Sequence, residues 1–564
     1  MRLVNRVALL ALLAPNALAA QMALPLKHTP QPTVPAITAA DLLTRLYLYA
    51  DDSMMGRRAG TPNNLRATAY IESEVRKLGL VPAGDSGGYF QNLPLVKRTI
   101  DSTSALTVGG ATLKIFDDFV TQRVGTGEPR SIDGVTAVYG GPLDRADSFP
   151  VEQAAGRVVV FGPPTSPQAR INGGAILARF NDAAGLAVTG LERIPPQFKG
   201  FLRQPSFGFA QASAGPAAPV VLQLTTPAAA RLLGTPIDSA AVGTAGPPIQ
   251  AHIATTVEPA PARNVVAILR GSDPKLRGEY VAIGAHNDHI GISLPPVDHD
   301  SMRIFDEVVR PQGAEQFGKQ ATPDEQARVD SLLAQWRAAH PGTQRADSID
   351  NGADDDGSGT VSVLEIAQRL ATDRVKPKRS IVFVWHTGEE LGLFGSRWFT
   401  DHPTVPRDSI VAQLNIDMIG RGDSADETGL TKDGTPIHGN PNYLQLIGSR
   451  RLSTELGDLV EQVNRDDHHG LVFDYSLDAN GHPQNIYCRS DHANYARWGI
   501  PVVFFTTGGH ADYHQVTDEP EYIDYQHMAR VANLIEDIAV HVADLDHRIV
   551  VDHPKPDPNG SCQQ

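Results

Sequence analysis

The sequence predicts an α/β protein in which helices flank a mostly parallel central sheet and a small β-rich domain is inserted into the chain. Three observations carry that prediction. From Asn264 onward, short runs of β-branched and aromatic residues alternate with helical apolar spacing, the pattern of parallel strands joined by crossover helices. Between about Asp133 and Leu233 charges thin out and Ala, Gly and Val multiply, which marks a separate unit built of short strands. At 564 residues, 41% of them hydrophobic, the chain exceeds one ordinary domain and can fill a large core. Its net charge of -15 argues against a general nucleic-acid binder, which would carry a basic patch.

Residues 1–20 read as a secretory signal: Arg2 and Arg6, an apolar run, then Ala17-Leu18-Ala19 in the small-x-small pattern of a cleavage site. Pro15 and Asn16 interrupt the run too early for a membrane anchor. The expectation is a periplasmic or secreted protein, not inserted in a membrane once the signal is removed. Cys488 and Cys562 are the two cysteines. They can form one disulfide in an oxidising compartment, and they are too few for a cysteine metal site.

Residues 21–36 are proline-rich and extended. Helical spacing follows over Asp41–Tyr49 and Leu65–Leu78, the second helix stopping at Gly79. Strands such as Arg157–Phe161 and Pro219–Leu224 belong to the inserted unit. Beyond the linker at Val257–Pro261, strands are expected at Asn264–Leu269, Tyr280–His286, Ile381–Trp385, Ile410–Ile416 and Pro501–Phe505, with helices at Ser358–Leu370 and Tyr525–Val542. Residues 294–349 are a polar insertion. It holds a helix capped by Thr322 and Glu325, with Pro323 at its first position and Val329, Leu332, Leu333 and Trp336 along one stripe. That helix is a candidate wall for an active-site cleft.

The chemistry gathers at strand ends, where open α/β sheets place their ligands. His286 and Asp288 share a strand face at the first. Asp354, Asp355 and Asp356 precede a helix without the spacing of a calcium loop; a helix cap by one of them is the plain reading, and one carboxylate pointing inward to bridge two ions is the alternative. Glu389 and Glu390 end a buried strand, and adjacent carboxylates there are costly unless cations hold them. Asp417 ends another apolar strand, also a costly position without a partner. His514 follows the strand of Pro501–Phe505. Two histidines, several carboxylates and no cysteine suit zinc, with manganese or cobalt as substitutes.

These segments, GAHNDHIG, GADDDGSG, HTGEELGLFGS, NIDMIG and YHQVTD, occur in an order that resembles the M28 family of co-catalytic zinc peptidases. The resemblance runs over residues 36–125 and 255–545. Residues 130–250 resemble a protease-associated domain, and residues 546–564 form a polar tail. Carried over by position, the resemblance implies two zinc ions per chain. His286 and Asp417 would hold one, Glu390 and His514 the other, and Asp355 would bridge them. Glu389 would be the general base, taking a proton from the bridging water and passing it to the leaving amine. Asp288 would orient His286, and Tyr513 would donate to the oxyanion. His289, His386, His492 and His510 fall outside the ligand positions, and Arg489-Ser490-Asp491-His492 is placed at the cleft rim or in packing.

The resemblance therefore implies an exported peptidase of the zinc exopeptidase fold acting on peptides, foremost an aminopeptidase. A carboxypeptidase, a dipeptidase or a glutaminyl cyclase of the same fold is the alternative. A receptor-like protein without catalysis is a further one, and the full set of ligands and base argues against it. The side-chain specificity and the oligomeric state are not written in the sequence.

Overall fold

The computed structural model describes residues 26–122, 129–166, 171–194, 201–210, 217–342 and 344–564. The expected signal at residues 1–20 lies outside them. Two helices come first. Helix α1 (Ala39–Tyr49) starts where the Thr38 hydroxyl accepts from the Asp41 amide at 3.1 Å, and α2 (Pro62–Lys77) starts with Pro62 in its first turn. The chain turns after α2 at Gly79, whose φ of 70° suits glycine.

The central sheet has nine strands: β1 (Val81–Pro82), β2 (Phe90–Leu93), β3 (Ala262–Leu269), β4 (Tyr280–His286), β5 (Ser380–His386), β6 (Ile410–Ile416), β7 (Tyr443–Ile447), β8 (Val472–Asp474) and β9 (Val502–Thr506). Their order is β1-β3-β5-β4-β6-β9-β7-β8, with β2 also paired to β3. The middle four, β5, β4, β6 and β9, are parallel to one another, so their carboxyl ends open on one side. The flanks are antiparallel: β3 against β5, and β7 against β9. The sheet is thus mixed, with its parallel part under the candidate site.

Strand β5 is buried along its whole length, as expected of a continuous apolar run covered on both faces. Alternate residues feed two cores. Val265, Ile381, Phe383, Trp385 and Leu414 pack with α1, α2, helix α3 (Gly359–Thr372), helix α5 (Thr454–Asp466) and helix α6 (Tyr525–Asp544). Val266, Val382, Val384 and Phe504 face the other way, toward Phe399 of helix α4 (Phe394–Asp401) and Tyr495. Each such large side chain contributes roughly 1.5–3 kcal/mol on burial.

A second sheet of eight strands forms the inserted domain, in the order Ala111–Lys114, Ala105–Val108, Ala245–His252, Thr136–Pro142, Val158–Gly162, Gly185–Thr189, Val220–Leu224, Phe119–Gln122. Three of these strands, Ala105–Val108, Ala111–Lys114 and Phe119–Gln122, lie in the stretch expected to belong with the central sheet, residues 36–125. Ala105–Val108 pairs instead with Ala245–His252 and with Ala111–Lys114, and Phe119–Gln122 pairs with Val220–Leu224, so the inserted unit begins earlier than residue 130.

The insertion expected at residues 294–349 is framed by an antiparallel pair, Gly291–Asp298 with Ala346–Asp350. Between them lie helices His299–Val309 and Pro323–Ala339. The second has the expected capping box, and Val329 is its buried residue. The tail after α6 is not a free polar end. Ile549 is buried, the Asp552 carboxylate accepts from the Thr454 amide, and Cys562 is disulfide-bonded to Cys488.

Candidate metal centre

Four strand ends and one helix start converge. His286 is the last residue of β4, Glu389 and Glu390 follow β5, Asp417 follows β6, and His514 lies in the loop after β9. Asp355 sits in the segment Ala353–Ser358 that leads into α3. The flanking aspartates are occupied elsewhere. Asp356 accepts from the amides of His286 and Gly359, both at 2.9 Å, and Asp354 accepts from Gly420 while its other oxygen faces His510 at 3.3 Å. Asp355 is the aspartate left to point inward.

Its two oxygens face two different histidines. His286 Nε2 lies 3.0 Å from Asp355 Oδ1 and 3.6 Å from Asp417 Oδ1. His514 Nε2 lies 2.9 Å from Asp355 Oδ2 and 3.0 Å from Glu390 Oε2. Donors bound to one tetrahedral zinc at about 2.0–2.2 Å are about 3.3 Å apart, so both sets fit such an ion, and imidazole with carboxylate is zinc-type chemistry. Met418 and His514, beside and within the donor set, hold left-handed backbone at φ 61° and 54°, strain that surrounding packing must sustain.

The electrostatics divide the glutamate pair. Burial and Asp355 push Glu390 up, but His514 and His289 outweigh them and hold its carboxyl down to about 2. Glu389 goes the other way: burial, helped by Asp417 and Glu390, holds its carboxyl well above the usual range. Burial also pushes Asp355 up, yet its hydrogen bonds with His286 and His514 keep it well below an ordinary aspartate. One glutamate is therefore held as an anion among histidines and its neighbour is disposed to carry a proton.

Asp288 does something different from the expected support of His286. The His286 Nδ1 contacts the backbone carbonyl of Asp288 at 3.1 Å, with the Asp288 carboxylate farther, at 3.8 Å. That carboxylate accepts instead from the amides of Gly388, at 2.8 Å, and Glu389, at 3.2 Å. Its side chain fixes the glutamate loop, and its backbone orients the histidine. Helices α1 and α2 pin the same segment, since Tyr49 donates to the Asn287 carbonyl and the Asn64 amide to the Asn287 side chain.

A cleft of about 680 Å³ opens over these residues, lined by His286, Asp355, Glu389, Asp417, Tyr513 and His514 and walled by Leu477, Ile486 and Phe504. The Tyr513 ring stacks on His514 with centroids 4.1 Å apart, and burial keeps its phenol protonated by pushing it up. The insertion also reaches the cleft, through Gln312 and Glu315 rather than through the Pro323–Ala339 helix, which supplies none of the described lining residues. Glu315 is ion-paired with Arg489, whose guanidinium is 3.4 Å from the Tyr513 hydroxyl.

Two residues outside the expected set touch it. Ser490 donates to Asp417 Oδ2 at 2.6 Å and accepts from Asn415 at 2.9 Å, so part of the Arg489–His492 segment braces a metal donor instead of the rim. His289 is also drawn in, its Nδ1 2.7 Å from Glu390 Oε1. His386, His492 and His510 stay apart. His386 faces Asp491 and Tyr495, His492 stacks on Phe504, and His510 faces Asp354.

The sequence profile described as Peptidase family M28 matches residues 264–539. Over 191 residues the chain is 29% identical to "Leupeptin-inactivating enzyme 1" of Streptomyces exfoliatus, covering 32% of this chain and 36% of that protein. Over 194 residues it is 30% identical to "Leucine aminopeptidase 1" of Coccidioides posadasii (strain C735), covering 32% and 44%. The chain thus spans less than half the length of these curated relatives. Among solved structures, the aminopeptidase from Aneurinibacillus sp. strain AM-1 superposes with a TM-score of 0.48 at 16% identity, over 92% of this chain and 97% of that one. Residues 264–539 thus carry a domain of the peptidase family M28 type.

Proposed function

We propose that the protein is a zinc-dependent aminopeptidase that uses two metal positions, and the sharing of Asp355 between His286 and His514 is the observation that carries this reading. His286, Asp417 and one oxygen of Asp355 would hold one ion; His514, Glu390 and the other oxygen of Asp355 would hold the second. Zinc so held lowers the pKa of a water and polarises a carbonyl. Glu389 takes the proton from the attacking water and returns it to the leaving amine, a role that its place in the cleft beside the donor residues supports. Asp288 holds Glu389 in place through the backbone amides of the loop. Tyr513, protonated and lining the same cleft, donates to the carbonyl oxygen as charge develops on it.

The relative named as a leucine aminopeptidase favours release of N-terminal residues. A carboxypeptidase would use a cleft cation such as Arg489 to hold a substrate carboxylate, but Glu315 already neutralises that guanidinium. Export is part of the proposal; the Cys488–Cys562 disulfide supports it, because such bonds persist in oxidising compartments. The protease-associated identity of the β-rich unit is likewise proposed, with a role in flanking the cleft. A panel of N-blocked and unblocked peptides, with products identified by mass, tests the activity. Cleavage confined to free N-termini is expected, and loss of C-terminal residues from blocked peptides would overturn the aminopeptidase assignment.

A further inference from the structure

His289 stands three residues beyond His286, fully buried, with its ring at 5.5 Å and nearly perpendicular to that of His514. It is held tightly: a Cβ on Gly352 would lie 2.5 Å from the His289 ring, and Gly352, at φ 56°, is itself fixed by Arg57, which donates to its carbonyl at 2.8 Å. Its Nδ1 meets Glu390 Oε1 at 2.7 Å, whereas His514 meets the opposite oxygen, Oε2. The Nε2 atom is buried and has no hydrogen-bond partner among the described residues.

Two chemistries are open to such a ring, metal donor or hydrogen-bond donor to a metal donor. A separation of 2.7 Å matches a charge-assisted N–H···O bond. His289 Nδ1 is also 3.8 Å from Asp355 Oδ2, the oxygen that His514 approaches to 2.9 Å. A histidine that binds metal almost always donates its second ring N–H to a partner, and His289 Nε2 has none. A ring with a proton on Nδ1 fits the bond to Glu390.

We propose that His289 is a positioning residue for the metal centre: it donates from Nδ1 to Glu390 Oε1, and so turns Oε2 toward the ion shared with His514 and Asp355. This rests on the two-metal reading above. Without the bond, Glu390 can rotate and present either oxygen, and the site loses a preorganised donor.

The test uses the full-length enzyme with zinc, its His289→Ala and His289→Asn variants, and zinc affinity by competition with a chromogenic chelator. Asn places an amide N–H near the position of Nδ1. His289→Ala is expected to weaken one of two zinc ions about 10–100-fold, with His289→Asn recovering most of the loss. X-ray absorption on the zinc-loaded wild type is expected to count two imidazoles over two zinc ions, which reads the role even if the alanine variant fails to fold. Unchanged zinc affinity in His289→Ala, or three imidazoles in the wild type, would overturn the proposal. A wild type that takes up a single zinc would instead sink the two-metal reading, and the His289 effect would then be read on that one ion.

Discussion

The Ser490 hydroxyl donates to Asp417 Oδ2 at 2.6 Å while Asp417 Oδ1 faces His286. One oxygen of the carboxylate is thus anchored and the other is free to bind. Removing the anchor by Ser490→Ala should weaken zinc at the His286 position about 10–100-fold, the usual cost of losing a hydrogen-bond partner of a metal donor. Chelator competition on purified protein checks this; wild-type affinity would show that Asp417 is held by other means.

The Glu315–Arg489 pair joins the insertion to the cleft beside Tyr513. Neither residue touches the metal donors. Glu315→Ala should therefore raise KM several-fold and leave kcat within about 3-fold, since a group that binds substrate and transition state alike acts on KM. Steady-state kinetics on one peptide series reads the split, and a loss confined to kcat would place Glu315 in the chemistry instead.

His492 is fully buried, stacked on Phe504 at 4.8 Å, and burial pulls its ring down to about 3 despite Asp491. Because the folded pKa lies below the unfolded value, its contribution to stability is complete above pH 6.5 and drains away as pH falls toward 3. The loss is about 2 kcal/mol by pH 5, at 1.4 kcal/mol per unit. His492→Phe keeps the stack and removes the titration. It should be more stable than wild type at pH 5 and within about 1 kcal/mol of it at pH 7.5, as measured by urea unfolding at both pH values. Equal gaps at the two pH values would mean that His492 is not held neutral.

The disulfide ties the tail to the segment that carries Arg489 and Ser490. Cys562→Ser should cost about 2–4 kcal/mol of stability and lower the thermal midpoint. An unchanged midpoint would mean that the tail is held by its hydrogen bonds alone, such as Gln564 to Asn485 and Tyr487.

Much of this was legible in the sequence because the signals are local. The run Ile381–Trp385 is apolar throughout, and it became the centre of the fully buried β5. The candidate donors could be picked out because acids and histidines at the ends of apolar strands have few inexpensive explanations. Ser490 could not be, because its bond to Asp417 spans 73 residues and depends on how the segment leading into the helix His492–Ala496 packs against β6. His289 was hidden for a different reason. An odd spacing from His286 would send it to the opposite face of a strand, but β4 ends at His286 and the following turn brings the ring back to Glu390. The boundary of the inserted domain was misplaced because Ala105–Lys114 forms short alternating strands, and nothing in a strand says which sheet it will join.

In the proposed mechanism Glu389 carries the proton while Glu390 binds metal. The most direct measurement is the Glu389→Gln variant, assayed for zinc content and for turnover of an unblocked peptide in one preparation. About two zinc ions per chain are expected, as in wild type, with turnover reduced at least about 100-fold. Undiminished turnover with both ions bound would contradict it.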